Sequence, residues 1–258
     1  MSSPSLAEVK ALGQPPAVLA RLNDEHLLGR LYMRRLSPGA TWLFARLGWS
    51  PNAVTVGFIA CGLAAAGVTV LGGLAPAIGA AVLVQLYLLL DCSDGELARV
   101  SGRAGSVTGI YLDRMGHYLA EAALLTALGI RAQGQLAISG PYVTAGLAAA
   151  VLAMLVRAET DNVIVARASA GLSGTHEDAA LAPRSAGLAR ARRLASALRV
   201  HRAIQAVELS LLILVAAIID AVMGGLTATR VLTVACLVIA AFMVAAHLAA
   251  IVASRRLA

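Results

Sequence analysis

The sequence predicts an all-α integral membrane protein: a six-transmembrane-helix bundle with an N-terminal amphipathic juxtamembrane helix. Three observations predict it. Of the 258 residues, 59% are hydrophobic and only 14% are charged, and the mean hydropathy of +0.79 is well above that of soluble domains. Six apolar segments are long enough to span a bilayer, at roughly 54–73, 75–95, 105–130, 141–158, 203–223 and 229–252. The basic residues are also distributed unevenly between the loops on the two sides of these segments.

The elements follow in chain order. Residues 1–52 form a mixed N-terminal segment, and residues 53–258 a single six-span domain. In "LNDEHLLGRLYMRRL", Leu27, Leu28, Leu31 and Leu36 fall near one helix face, which predicts a helix lying on the membrane surface. Trp42, Phe44 and Trp49 follow as interfacial anchors. "SPNAVT" opens the first span, with Pro51 suited to a helix N-terminus. "GGLA" and "GGLTA" are short and uncharged, and predict tight turns on one side of the membrane. The fourth and fifth spans are joined by a basic loop over about 159–202, within which 168–182 reads as irregular.

Charge sets the orientation. Of the 21 Lys and Arg residues, all except Arg114, Arg131 and Arg230 fall on the side of the termini. Both termini and the 159–202 loop are therefore expected in the cytoplasm, in a cell membrane. The net charge of +7 serves this topology and contact with anionic lipid, so no nucleic-acid partner is expected. Cys61, Cys92 and Cys236 have neither zinc-site nor redox spacing and read as small apolar residues. Asp220 and Arg230, both near the outer turn, are expected to pair.

The chemistry is concentrated in "DCSDGELAR", 91–99, at the end of an apolar run. Asp91 and Asp94 stand at i and i+3 and share a helix face. Gly109 and Asp113 share a face of the next span, and a short loop makes the two helices neighbours. Three carboxylates converging near lipid require a cation or water, and carboxylate oxygens from separate turns suit Mg²⁺ or Mn²⁺. Gly95 and Ala98 leave the surface bare for a ligand, and Arg99 offers a planar cation to a phosphate. Together these residues point to a bound diphosphate.

This stretch resembles the signature of the CDP-alcohol phosphotransferases, D-x-x-D-G-x-x-A-R followed after a spacer by G-x-x-x-D-x-x-x-D. Here it stands as "DCSDGELAR", a nine-residue spacer and "GIYLDRMGH". Asp91, Asp94, Gly95, Ala98, Arg99, Gly109 and Asp113 match. "SPNAVT" and "VRAET" also resemble family elements, and the resemblance covers most of the chain. It implies transfer of a substituted phosphate from a CDP-linked alcohol, most often CDP-diacylglycerol, to an acceptor hydroxyl, with release of CMP, in phospholipid or related lipid synthesis. It also implies one or two metal ions on Asp91, Asp94 and Asp113, nucleotide contacts from Asp94, Gly95, Ala98, Arg99 and Gly109, Arg157 as a candidate headgroup contact, and a homodimer.

The sequence departs from the pattern twice. The spacer is one residue longer than usual, and the fourth aspartate is His117. Asp113, His117 and Glu121 form a stripe at i, i+4, i+8. His117 is therefore expected either as a metal ligand or as the base that deprotonates the acceptor, with Glu121 one turn deeper orienting its ring. Three rival readings remain: the same chemistry with a non-lipid CDP-alcohol, an inactive scaffold, or a transporter with ionisable groups at mid-membrane.

Overall fold

Serine side chains cap the N-termini of three helices. The structure, a computed structural model, describes residues 4–19, 29–172 and 200–252. These fold into helices, with no strand among the described residues. α1 (Leu6–Gly13) opens with a capping box in which Ser5 N donates to Glu8 Oε2 at 2.7 Å and Glu8 N donates to Ser5 Oγ at 3.3 Å. The bonds from Ser5 hold the Glu8 carboxyl below its usual range. A single turn, α2 (Pro16–Leu19), follows, and a π-helical turn at Gly29–Met33 leads into α3 (Arg34–Arg46).

α4 (Pro51–Val70) starts with Pro51 in its first turn and Ser50 Oγ accepting from Ala53 N at 3.2 Å. α5 (Leu74–Val100), α6 (Val107–Gln133) and α7 (Pro141–Ser169) are long helices of 27, 27 and 29 residues. A 3₁₀ turn at Val200–Ile204 leads into α8 (Ala206–Met223), and α9 (Thr227–Val252) ends the described chain. Gly72 and Gly73 adopt φ of +71° and +77° in the α4–α5 turn, a conformation that favours glycine.

Five helices, α4, α5, α7, α8 and α9, are long and apolar enough to cross a membrane. The expected third span differs. α6 matches α5 in length, but Asp113, Arg114, His117, Tyr118 and Glu121 interrupt its apolar run. It packs against α4 and α7 and also touches α8 and α9, so these polar residues meet protein neighbours. The shared core includes Phe58, Tyr87, Leu88, Leu124, Leu128, Leu209 and Ile213.

Other boundaries also move. α5 continues through the whole of "DCSDGELAR" to Val100, five residues past the expected end. α7 runs on to Ser169, so "VRAET" is helical and the expected loop at 159–202 starts later. Leu27, Leu28 and residues 173–199 lie outside the described residues. Asp220 does not pair with Arg230. It caps α9, accepting from Ala228 N at 2.7 Å, Thr229 N at 3.0 Å and Thr229 Oγ1 at 2.5 Å, while Arg230 donates to Ala132 O at 3.1 Å. Unpaired backbone N–H groups at a helix start compete well for a nearby carboxylate.

α6 and α7 meet backbone to backbone. A Cβ on Gly146 would lie 2.7 Å from Gly129 Cα and from the Leu125 carbonyl, and neither can yield cheaply. Gly146→Ala should therefore lower the thermal midpoint in detergent, at an overpacking cost of about 1–3 kcal/mol. Gly67→Ala, which meets open space, should not lower it. Equal midpoints for the two variants would refute the close approach.

Candidate functional site

Four helices converge on one end of the bundle. α5 brings Asp91 and Asp94, α6 brings Asp113 and His117, α4 brings Asn52 and Thr55, and α7 brings Arg157. Donor atoms of Asp91, Asp113 and His117 all lie within 4.8 Å of one another. His117 Nε2 stands 3.3 Å from Asp91 Oδ1 and 3.7 Å from Asp113 Oδ1. Ligands about 2.1 Å from one ion sit roughly 3 Å apart when adjacent and about 4 Å apart when opposite. The three side chains could therefore hold a single divalent ion. Asp113 is the most open of them, its side chain 46% exposed against 19% for each of the other two.

Asp94 is not part of this trio. It is buried, and its Oδ2 accepts from Thr55 Oγ1 at 2.6 Å. The helix spacing of Asp91 and Asp94 is as expected, but the second carboxylate turns toward α4. Gly109, at the start of α6, donates from its backbone N to the Ser106 cap at 2.9 Å. A Cβ there would lie 3.0 Å from Ser106 Oγ and 3.6 Å from Asn52 Oδ1.

Glu121 does not orient His117. His117 Nδ1 is 2.6 Å from the Tyr87 hydroxyl, and Glu121 is engaged in a two-pronged pair with Arg157, whose Nε donates to Oε2 at 2.6 Å and whose Nη2 donates to Oε1. An arginine fork matches a carboxylate better than a single imidazole N–H does, which explains the substitution. Arg157, a candidate headgroup contact from sequence, is thus engaged by Glu121. Its sequence neighbour Glu159 lies 3.9 Å from His247 Nδ1.

Arg99 and Gly95 lie together as expected. A Cβ on Gly95 would come within 3.5 Å of Arg99 Nη1, so the guanidinium covers the bare glycine. Ala98 is half-buried beside them. Arg99 Nε donates to the Gly13 carbonyl at 2.7 Å, which ties the motif to the end of α1.

Four contributors were missed in the sequence. Tyr87 sits inside an apolar run where an aromatic reads as core. Thr55 and Asn52 look like part of a helix start. Glu96 occupies a variable position of the motif, yet it is fully buried and accepts from Gln14 Nε2 at 2.7 Å, Ser37 Oγ at 2.6 Å and Thr41 Oγ1 at 2.7 Å. The available signal was Glu96's spacing from Arg99 at i, i+3, which puts both on the face that α1 and α3 cover.

No protein-family model matches the chain, and no curated protein matches it.

The Glu121–Arg157 pair generates a prediction. Its side chains are 6% and 30% exposed, and removing one partner from such a pair leaves a poorly solvated charge. Glu121→Met alone should lower the thermal midpoint in detergent clearly. Glu121→Met with Arg157→Met should recover most of that loss. Additive losses in the double variant would show that the two residues are not energetically coupled.

Proposed function

We propose that this protein is a metal-dependent CDP-alcohol phosphotransferase of the cell membrane, with CDP-diacylglycerol as its most suitable donor. The observation that carries the reading is the meeting of the two halves of the motif: Asp91 from "DCSDGELAR" and Asp113 and His117 from "GIYLDRMGH" surround one ion-sized point. In this reading α6 crosses the membrane as a sixth span, the termini face the cytoplasm, and the resemblance brings with it a homodimer.

Asp91, Asp113 and His117 would hold one Mg²⁺ or Mn²⁺. Asp94 lies outside the trio, with its Oδ2 on Thr55, so one ion is proposed rather than two. Bound there, such an ion would supply positive charge to the donor's diphosphate and to the leaving CMP. Arg99 moves from the Gly13 carbonyl to a phosphate oxygen, and Gly95 and Ala98 leave room for the nucleotide. The acceptor oxygen bonds to the phosphorus that carries the lipid alcohol, as that phosphorus releases the oxygen of CMP. The acceptor's proton passes to the Asp113 carboxylate, the most open group of the three. Val107, Ile110 and Tyr111 are exposed beside this cluster. Apolar surface next to a polar site supports a donor with a charged head and acyl chains.

Purified protein should release CMP from CDP-diacylglycerol when offered a panel of hydroxyl acceptors, and EDTA should abolish the release. Asp91→Asn and Asp113→Asn should each remove most turnover, since each deletes an anionic ligand. Asp94→Asn should cost less than either. Full CMP release in EDTA would rule out the mechanism.

Orientation is tested separately. In a background free of the three native cysteines, Ser101→Cys should resist an impermeant thiol reagent in intact cells, and Ile138→Cys, at an exposed position of the α6–α7 connection, should react. The reverse pattern would invert the topology.

A further inference from the structure

We propose that the site selects a first-row transition ion over Mg²⁺, with His117 Nε2 as its nitrogen ligand and Tyr87 as the residue that positions it. The inference rests on the metal reading above and goes beyond it in naming the class of ion and a positioning residue.

Three features of the structure carry it. First, the trio around the ion-sized point is two carboxylates and one imidazole, because Thr55 holds the other nearby carboxylate, Asp94. Second, the two ring nitrogens of His117 have divided tasks. Nε2 faces Asp91 and Asp113, and Nδ1 meets the Tyr87 hydroxyl at 2.6 Å. Histidines that bind metal keep their second nitrogen engaged in this way, which fixes both tautomer and ring orientation. With the Nε2 lone pair on the ion, Nδ1 carries the proton and donates it to the tyrosine oxygen.

Third, packing immobilises the pair. Tyr87 and Phe58 are buried, at 1% and 0% exposure. Phe58 meets Tyr87 edge-on at 5.1 Å and stands 5.7 Å from the His117 ring. A Cβ on Gly116 would fall 2.3 Å from Phe58, so glycine at this position admits the ring that braces the imidazole. The imidazole is thus held with Nε2 toward the carboxylates before any ion arrives.

The chemistry of this donor set differs from that of an all-carboxylate site. Mg²⁺ is a hard ion that favours oxygen and keeps its waters. Imidazole nitrogen raises affinity along the series from Mn²⁺ to the later transition ions. Exchanging a carboxylate for an imidazole also removes one negative charge, which weakens the hold on Mg²⁺ without a compensating covalent gain.

The test uses the full-length protein in detergent, loaded with Mn²⁺ alone and read by pulsed EPR. Wild type should show nitrogen modulation from a bound imidazole, and His117→Asp should lose it. In competition, the preference for Mn²⁺ or Co²⁺ over Mg²⁺ should fall by about 10-fold or more in His117→Asp. Tyr87→Phe, with an unchanged thermal midpoint, should weaken Mn²⁺ binding by about 10-fold, the low end of what loss of a histidine's outer partner costs. Mn²⁺ bound through Asp91 and Asp113 without nitrogen modulation, and with the same Mn²⁺-to-Mg²⁺ preference in His117→Asp, would overturn the inference and leave the metal reading standing. No Mn²⁺ binding, or binding that survives Asp113→Asn unchanged, would overturn both.

Discussion

Five carboxylates lie on two consecutive helices at one end of this bundle, and their compensation ties α4, α7 and the N-terminal segment to those helices. Removing an ionised carboxylate from water costs several kcal/mol unless donors replace the lost hydration. Asp94, Glu96 and Glu121 take side-chain donors from outside α5 and α6, each from a different part of the chain. Asp94 takes Thr55 of α4. Glu96 takes Gln14, Ser37 and Thr41 from the N-terminal segment. Glu121 takes Arg157 of α7. α4, α7 and the N-terminal segment are therefore each anchored by one charge on α5 or α6. Asp91 and Asp113 instead meet across His117, and it is this shared arrangement that leaves them suited to an ion.

The same anchoring requires close helix contacts, and glycine supplies them. A Cβ on Gly62 would meet Ala120 at 2.7 Å, and one on Gly116 would strike Phe58. α4 can thus lie near enough to α6 for Phe58 to brace Tyr87 and His117, while Thr55 from the same helix reaches Asp94 on α5. Farther along, Gly129 and Gly146 bring α6 against α7, and Arg157 then meets Glu121. Without an apolar driving force between helices in lipid, small residues of this kind let packing and hydrogen bonds hold the assembly. Packing and chemistry are linked here: the glycines set helix separations that the polar contacts need.

The sequence made the motif legible because helix periodicity converts spacing into position. Asp91, Gly95 and Arg99 recur at i, i+4, i+8, and Asp113 and His117 at i, i+4, so each set had to share a face. Their meeting across the short α5–α6 loop followed from chain connectivity. What the spacing hides is direction across helices. Nothing local distinguishes Asp94, turned to α4, from Asp91, turned to α6. The orienting role assigned to Glu121 failed for the same reason. Periodicity placed it one turn from His117, but its partner was a longer, forked cation on α7, and the imidazole's partner was a tyrosine embedded in apolar sequence. Glu96 was hidden because its three donors lie at least 55 positions away in the chain.

The shortfall of α6 as an apolar helix follows from this arrangement. Hydropathy is a measure for a helix that faces lipid, and it penalises each charge equally. α6 directs its charges toward side chains on other helices, although Asp113 and Arg114 keep 46% and 39% exposure. Glu121 points to Arg157 on α7, Arg114 pairs with Asp161 on α7, and Tyr118 donates to the same Asp161 at 3.1 Å. Asp113 and His117 face α5. A helix whose charges find partners in this way need not be apolar along its whole length to cross a bilayer. On the reading proposed for this protein, α6 is a sixth span for that reason, and it is the span that carries half of the reactive residues. The polarity that weakens its signal in sequence is what a reaction at a charged diphosphate would require of it.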